Sequence, residues 1–248
     1  MSNYRDQLVA HRGDLSRFPE NSLQGFEQLI DQGAKLLELD LQMTADNVPV
    51  LHHDKSMKRI LGVDRNIGDT PFEELSNYPF ISKKNTHDAT LVSLEQFVQL
   101  LEKFPQVTVF VEIKVSVRQI FGTAALDKII RILQPVVSQC RIISFSYKTL
   151  SYIQLQTDIG LGYVLPDWSY KTRLKAEKLQ ADYLVVDYKF MPQKANELWP
   201  GKWDWMVYVI DQVKAIRSME QLGVRYLETN RYIDLFEELN QKEKLSCV

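Results

Sequence analysis

Short apolar runs alternate along the chain with longer stretches of helical periodicity. The runs at 8–11, 36–42, 107–113, 141–145, 161–165, 183–187, 205–210 and 225–228 are mostly rich in Val, Ile, Leu and aromatic residues and show little strict alternation. That pattern predicts parallel strands covered on both faces, since a strand with one wet face would alternate. Between them Phe26, Leu29 and Ile30 form an apolar stripe behind Asn21, which is placed to cap that helix with Gln24 three residues later. Leu126, Ile129, Ile130, Leu133 and Val137 recur with helical spacing, as do Val213, Ile216, Met219 and Leu222, the last group stopped by Gly223. Eight strands with intervening helices in 248 residues predict a (β/α)8 TIM barrel filling the chain from 1 to 248 as a single domain. A doubly wound open sheet is the rival, but the first strand runs into His11-Arg12-Gly13-Asp14 rather than G-x-G-x-x-G. Residues 54–90 are longer and more polar than a standard crossover and hold Gly62, Gly68, Pro71 and Pro79. They read as a small insertion on the barrel rim, between the second and third barrel strands.

Charge and composition narrow the class. Lys and Arg total 30 against 32 Asp and Glu, a formal charge of -2, which argues against a nucleic-acid partner and leaves room for a local basic pocket. Two cysteines, Cys140 and Cys247, imply no disulfide framework; the first packs at a strand start and the second is a tail thiol. The opening residues lack the basic-then-apolar run of a signal peptide, and no stretch reaches the ~20 apolar residues of a membrane span. The expectation is a cytoplasmic enzyme or binding protein, monomer or homodimer, without stable membrane insertion.

Chemistry concentrates at the C-terminal ends of early strands, where a barrel keeps its active site. His11-Arg12 follows the first strand, Glu38-Leu39-Asp40 lies in the second and leads to His52-His53-Asp54, and Glu112-Ile113-Lys114 ends the third. Residues i and i+2 on a strand share a face, so Glu38 pairs with Asp40 and Glu112 with Lys114. Three inward carboxylates without partners would have to neutralise or open the site. One hard divalent cation, Mg2+ or Ca2+, resolves this, with Glu38, Asp40 and Glu112 as ligands. Arg12 as a fork and Lys114 as a point charge suit a phosphate, and histidines supply acid and base. The extended alternation through 50–53 turns His52 away from His53. His87, Lys83 and Lys84 read as solvated loop.

The order His11-Arg12-Gly13, Pro19-Glu20-Asn21-Ser22, Glu38-Leu39-Asp40, His53-Asp54 and Glu112-Ile113-Lys114 resembles the glycerophosphodiester phosphodiesterase family, over almost the whole chain from His11 to about Asn230. The resemblance implies metal-dependent hydrolysis of a small-molecule glycerophosphodiester to glycerol 3-phosphate and an alcohol, with a cyclic phosphate as the suggested intermediate. It implies metal ligands at Glu38, Asp40 and Glu112, catalytic histidines at His11 and His53, and phosphate contacts at Arg12 and Lys114. It places Glu20 and Asn21 at the site rim. Two departures stand out: Tyr208 replaces a usual tryptophan, and Thr229-Asn230 replaces Thr-Asp. Both spare the metal and acid/base residues and bear on the alcohol pocket, making Tyr208 a candidate rim contact. Two rival readings stay open. One is a phospholipase or sphingomyelinase-type enzyme acting on intact lipid, for which Phe72, Tyr78, Phe80 and Ile81 would form an apolar rim. The other is a non-catalytic phosphate-binding barrel.

Overall fold

In the computed structural model, residues 4–81 and 89–246 are described, and Lys83, Lys84, His87 and Cys247 lie outside them. Nine strands form one sheet: β1 (Leu8–His11), β2 (Leu36–Met43), β3 (Pro49–Leu51), β4 (Thr108–Ile113), β5 (Cys140–Ser144), β6 (Gly160–Val164), β7 (Tyr183–Asp187), β8 (Asp204–Tyr208) and β9 (Tyr226–Thr229). All but β3 are parallel, and β1 pairs with both β2 and β9, which closes eight strands into a barrel. β3 is a short antiparallel partner of β2, with Leu41 opposite Leu51; three residues are too few to show as a strand in the hydrophobic pattern.

The lack of alternation has the expected cause, since every residue of β2 is buried. Leu37, Leu39 and Leu41 pack outward against helices including Leu23–Asp31 and Leu94–Leu101. Val9, Leu36, Phe110, Ile143, Val164, Val185 and Met206 fill the barrel interior. Inward positions beyond this apolar plug become His11, Glu38, Asp40, Glu112, Tyr208 and Glu228, so the interior turns polar toward the strand C-termini. Between β7 and β8 there is no α-helix, only short turns at Tyr188–Phe190 and Ala195–Glu197. Trp168, Trp199 and Trp205 cover that side of the barrel, with ring centroids 4.6 Å and 5.5 Å from Trp168.

The insertion has an apolar cluster of its own, built on Met57, Leu61, Ile67, Leu75 and Phe80 with Val50 of β3. This corrects the apolar rim expected there: Phe80 is buried, Phe72 and Tyr78 are partly buried against the cluster, and Ile81 remains exposed. Those aromatics hold the insertion together instead of offering it to a lipid. The helix-cap expectation is also corrected. Ser22, not Asn21, caps Leu23–Asp31, its hydroxyl accepting from the Gly25 amide. Among the described residues no helix is long and apolar enough to cross a membrane.

Candidate active site

Strand register sets the site. His11 lies beside Glu38 across β1 and β2, and Asp40 lies beside Glu112 across β2 and β4. One mouth at the C-terminal end of the barrel is therefore lined by His11, Arg12, Glu38, Glu112 and Lys114 together with His53, Tyr208 and Glu228. Arg12 follows β1 with φ 58°, a left-handed conformation uncommon outside glycine. Its amide donates to the Glu38 carbonyl at 3.1 Å. This turn carries the guanidinium back to Asp40, with Nε 2.8 Å from Oδ2. Gly13 continues the turn at φ 95°, where a Cβ would meet the Gly25 backbone at 3.3 Å.

Asp40 is the fully buried centre of the site. Lys114 Nζ reaches its Oδ1 at 2.5 Å and Glu112 Oε1 at 2.8 Å. Asn21 brackets Asp40 from the other side: its Nδ2 donates to Oδ2 at 3.1 Å, and its Oδ1 accepts from the Asp40 amide at 3.3 Å. Asn21 is therefore a buried support for Asp40. Burial alone would raise the Asp40 carboxyl, but Lys114 and Arg12 overcome it and hold the group below the usual carboxylate range. Glu38 and Glu112 go the other way. Burial raises both, reinforced at Glu38 by the charges of Asp40 and Glu228, and at Glu112 by Asp40 against the pull of Lys114.

Both histidines reach the mouth, His11 from the end of β1 and His53 from the segment after β3. His11 Nδ1 is 2.7 Å from Asn230 Oδ1, while Asn230 Nδ2 donates to Asp211 Oδ2 at 3.1 Å. That second bond orients the amide, so Nδ1 of His11 carries the hydrogen. Burial and then Arg12 lower the His11 pKa to about 4. The departure at Asn230 thus bears on one of the two histidines expected to act as acid and base, because its amide touches His11 directly. His53 is half-exposed and donates from Nδ1 to Asp54 Oδ1 at 2.7 Å, and Gln42 Nε2 donates to the His53 carbonyl at 3.1 Å. His52 is buried with Nδ1 2.8 Å from the Asp54 carbonyl and does not line the mouth. Glu20 stands among arginines: Arg59 of the insertion forks onto both its oxygens at 2.7 Å and 2.8 Å, and Arg12 Nη1 lies 3.4 Å away.

Sequence reasoning missed Glu228. It is buried in β9 with Oε1 3.3 Å from His11 Nε2, and its pKa is raised to about 8 by burial, against the pull of Arg12 and with the push of Asp40. A signal existed, since Tyr226 and Glu228 share a face of the last strand, but a lone acid in a four-residue strand carries no pairing. Among the described residues two groups of potential metal ligands result, Glu38 with Asp40 and Glu112, and Glu38 with His11 and Glu228. Among the described residues, Glu38 Oε2 is buried without a hydrogen-bond partner. Fully ionised, Glu38, Asp40, Glu112 and Glu228 would exceed Arg12 and Lys114 by two negative charges; the raised carboxyls of Glu38, Glu112 and Glu228 take up that excess with protons, which a divalent ion would displace.

Residues 11–233 match the model of the glycerophosphoryl diester phosphodiesterase family. Lysophospholipase D GDPD3 of Homo sapiens is 36% identical over 119 residues, a match spanning 45% of this chain and 36% of that protein. A glycerophosphodiester phosphodiesterase of Bacillus altitudinis is 29% identical over 115 residues, 45% of this chain and 46% of that protein. The matched stretches thus span under half the length of these relatives. Among solved structures, an Oleispira antarctica phosphodiesterase in complex with the product sn-glycerol-3-phosphate superposes with TM-score 0.85 at 20% identity, covering 94% of this chain and 96% of that one. A glycerophosphodiester phosphodiesterase from Parabacteroides distasonis superposes with TM-score 0.80 at 21% identity, covering 96% and 98%. At such identity these two establish the barrel and its closure, while the family match extends over nearly the whole chain. The chain belongs to the glycerophosphoryl diester phosphodiesterase family.

Proposed function

We propose that residues 1–248 act as one domain that hydrolyses glycerophosphodiesters to glycerol 3-phosphate and an alcohol. The observation that carries this reading is the meeting of His11, His53, Arg12, Lys114 and the acidic cluster at one mouth. The donor set fits a hard divalent cation, Mg2+ or Ca2+: its oxygens are carboxylates, their full ionisation would leave two negative charges unmatched, and Glu38 Oε2 lacks a hydrogen-bond partner. Glu38, Asp40 and Glu112 would hold the ion, with Glu228 grouped with Glu38 and His11 close enough to share it. When bound, it supplies positive charge against the phosphate oxygens.

The side chains account for the rest of the chemistry. Arg12 and Lys114 hold the nonbridging oxygens and offset the charge that builds on them in the transition state. One histidine removes the proton from the glycerol hydroxyl next to the ester. That oxygen attacks phosphorus as the bond to the alcohol breaks, and the other histidine protonates the departing oxygen. Water then opens the cyclic phosphate with the two roles exchanged. A compound lacking only that hydroxyl should turn over at least 100-fold more slowly than glycerophosphocholine. Equal rates would remove the cyclic route, and no release of glycerol 3-phosphate from any glycerophosphodiester, with Mg2+ or Ca2+ supplied, would remove the function.

A second reading is favoured by a separate observation. Phe145 lines the mouth, and Ile120, Tyr188 and Phe190 are exposed on segments that follow the C-terminal ends of β4 and β7. These residues offer apolar surface to a substrate that keeps an acyl chain, the class named for lysophospholipase D relatives. Rates on lysophosphatidylcholine and glycerophosphocholine, measured side by side below the micelle threshold, decide between the two substrate classes.

A further inference from the structure

Arg59 belongs to the insertion, on the short helix Lys58–Leu61, and its guanidinium binds two carboxylates whose neighbours reach the barrel mouth: Asp54, which contacts His53, and Glu20, which contacts Arg12. Nε donates to Asp54 Oδ2 at 2.6 Å, while Nη1 and Nη2 donate to Glu20 Oε2 and Oε1 at 2.7 Å and 2.8 Å. The other Asp54 oxygen accepts from His53 Nδ1 at 2.7 Å. Glu20 also faces Arg12 Nη1 at 3.4 Å. A single fork therefore ties the loop after β1, through Glu20, to the start of the insertion, where Asp54 follows His53.

We propose that Arg59 is a positioning residue for His53, acting through Asp54, and that the insertion exists in part to deliver it. This rests on the catalytic reading of His53. The argument is geometric. Asp54 is a short side chain adjacent to His53 in sequence, on a loop, and alone it has several rotamers to choose from. Arg59 occupies one carboxylate oxygen, which leaves the other to face Nδ1. A carboxylate accepts only, so Nδ1 of His53 keeps the hydrogen and Nε2 stays free for proton transfer at the mouth. Glu20 sets the guanidinium plane through two parallel hydrogen bonds, the arrangement that makes Arg unlike Lys. Because Glu20 and Arg12 share a contact, the clamp also links the proposed phosphate-holding Arg12 to the proton-transferring His53.

Arg59→Ala should lower kcat on glycerophosphocholine roughly 10- to 100-fold, the range of effects from small misplacement of a reacting group, with KM changed much less. Arg59→Lys should recover only part of the loss, because an ammonium cannot bridge both carboxylates. Free guanidinium at low millimolar concentration should restore part of the activity of Arg59→Ala. The decisive comparison is the double variant: in a His53→Ala background, Arg59→Ala should add little further loss, and across leaving groups its losses should follow those of His53→Ala rather than His11→Ala. Independently of turnover, nitrogen NMR should find His53 as the Nδ1–H tautomer in the parent and as a mixture in Arg59→Ala, with the unfolding midpoint showing that the fold survives. Losses that multiply in the double variant, or a His53 tautomer unchanged by Arg59→Ala, would overturn the proposal. A parent protein inactive on every glycerophosphodiester would instead overturn the functional reading, with the tautomer measurement still testing Arg59.

Discussion

Glu228→Gln probes the charge balance of the site most directly. In the folded protein the Glu228 carboxyl sits at about 8 against an ordinary 4.5. A raised acid binds its proton more tightly when folded. Its favourable contribution is therefore whole below pH ~4.5 and is lost as pH rises toward 8. At ~1.4 kcal/mol per tenfold change in proton affinity, this one group costs the metal-free protein on the order of 5 kcal/mol across that window. A divalent cation competes with the proton for the same buried charge, so it should stabilise the protein far more at pH 8 than at pH 5. At a hundredfold excess over Kd, binding contributes ~2.7 kcal/mol, or roughly 5–10 °C in Tm for a domain of this size. The assay is thermal unfolding of EDTA-treated protein with and without added Mg2+ or Ca2+ at both pH values. Glu228→Gln should be more stable than the parent at pH 8 without metal and should lose most of the metal-induced rise. A Tm rise equal in parent and variant at both pH values would refute the reasoning and place Glu228 outside the ion's reach.

Other outcomes are expected at neighbouring positions. Glu112→Gln frees Lys114 of one partner and removes a proposed ion ligand, and it should weaken metal affinity and cut kcat by at least tenfold with the fold intact by circular dichroism; unchanged metal dependence would exclude Glu112. Asn230→Asp puts a carboxylate 2.7 Å from His11 Nδ1 and should raise the His11 pKa from its lowered value, which proton titration by NMR would register as an upward move. His52→Ala should leave kcat within a fewfold of the parent while costing about 1–3 kcal/mol of stability, because it deletes a buried ring and the partner of the Asp54 carbonyl; a loss of rate matching His53→Ala would show that the ring reaches the mouth.

Much of this protein is encoded locally. The absence of alternation in the strands follows from burial on both faces, and it was legible because β2 alone carries eight consecutive buried residues. The pairs Glu38 with Asp40 and Glu112 with Lys114 were legible for the same reason, since the two-residue repeat of a strand states which side chains share a face. The same repeat distinguishes His53, which lines the mouth, from the buried His52. What a strand's periodicity cannot state is which strand lies beside it. Glu228 joins the site only because β9 closes against β1, setting its carboxylate on His11. Asn21, at a helix start, reads as a cap until folding brings it under Asp40, and Glu20 acquires its role from Arg59 in an insertion whose docking no local pattern encodes. Tertiary structure decided these contacts because buried charge is balanced over the whole barrel mouth, by groups that approach one another only once the sheet has closed.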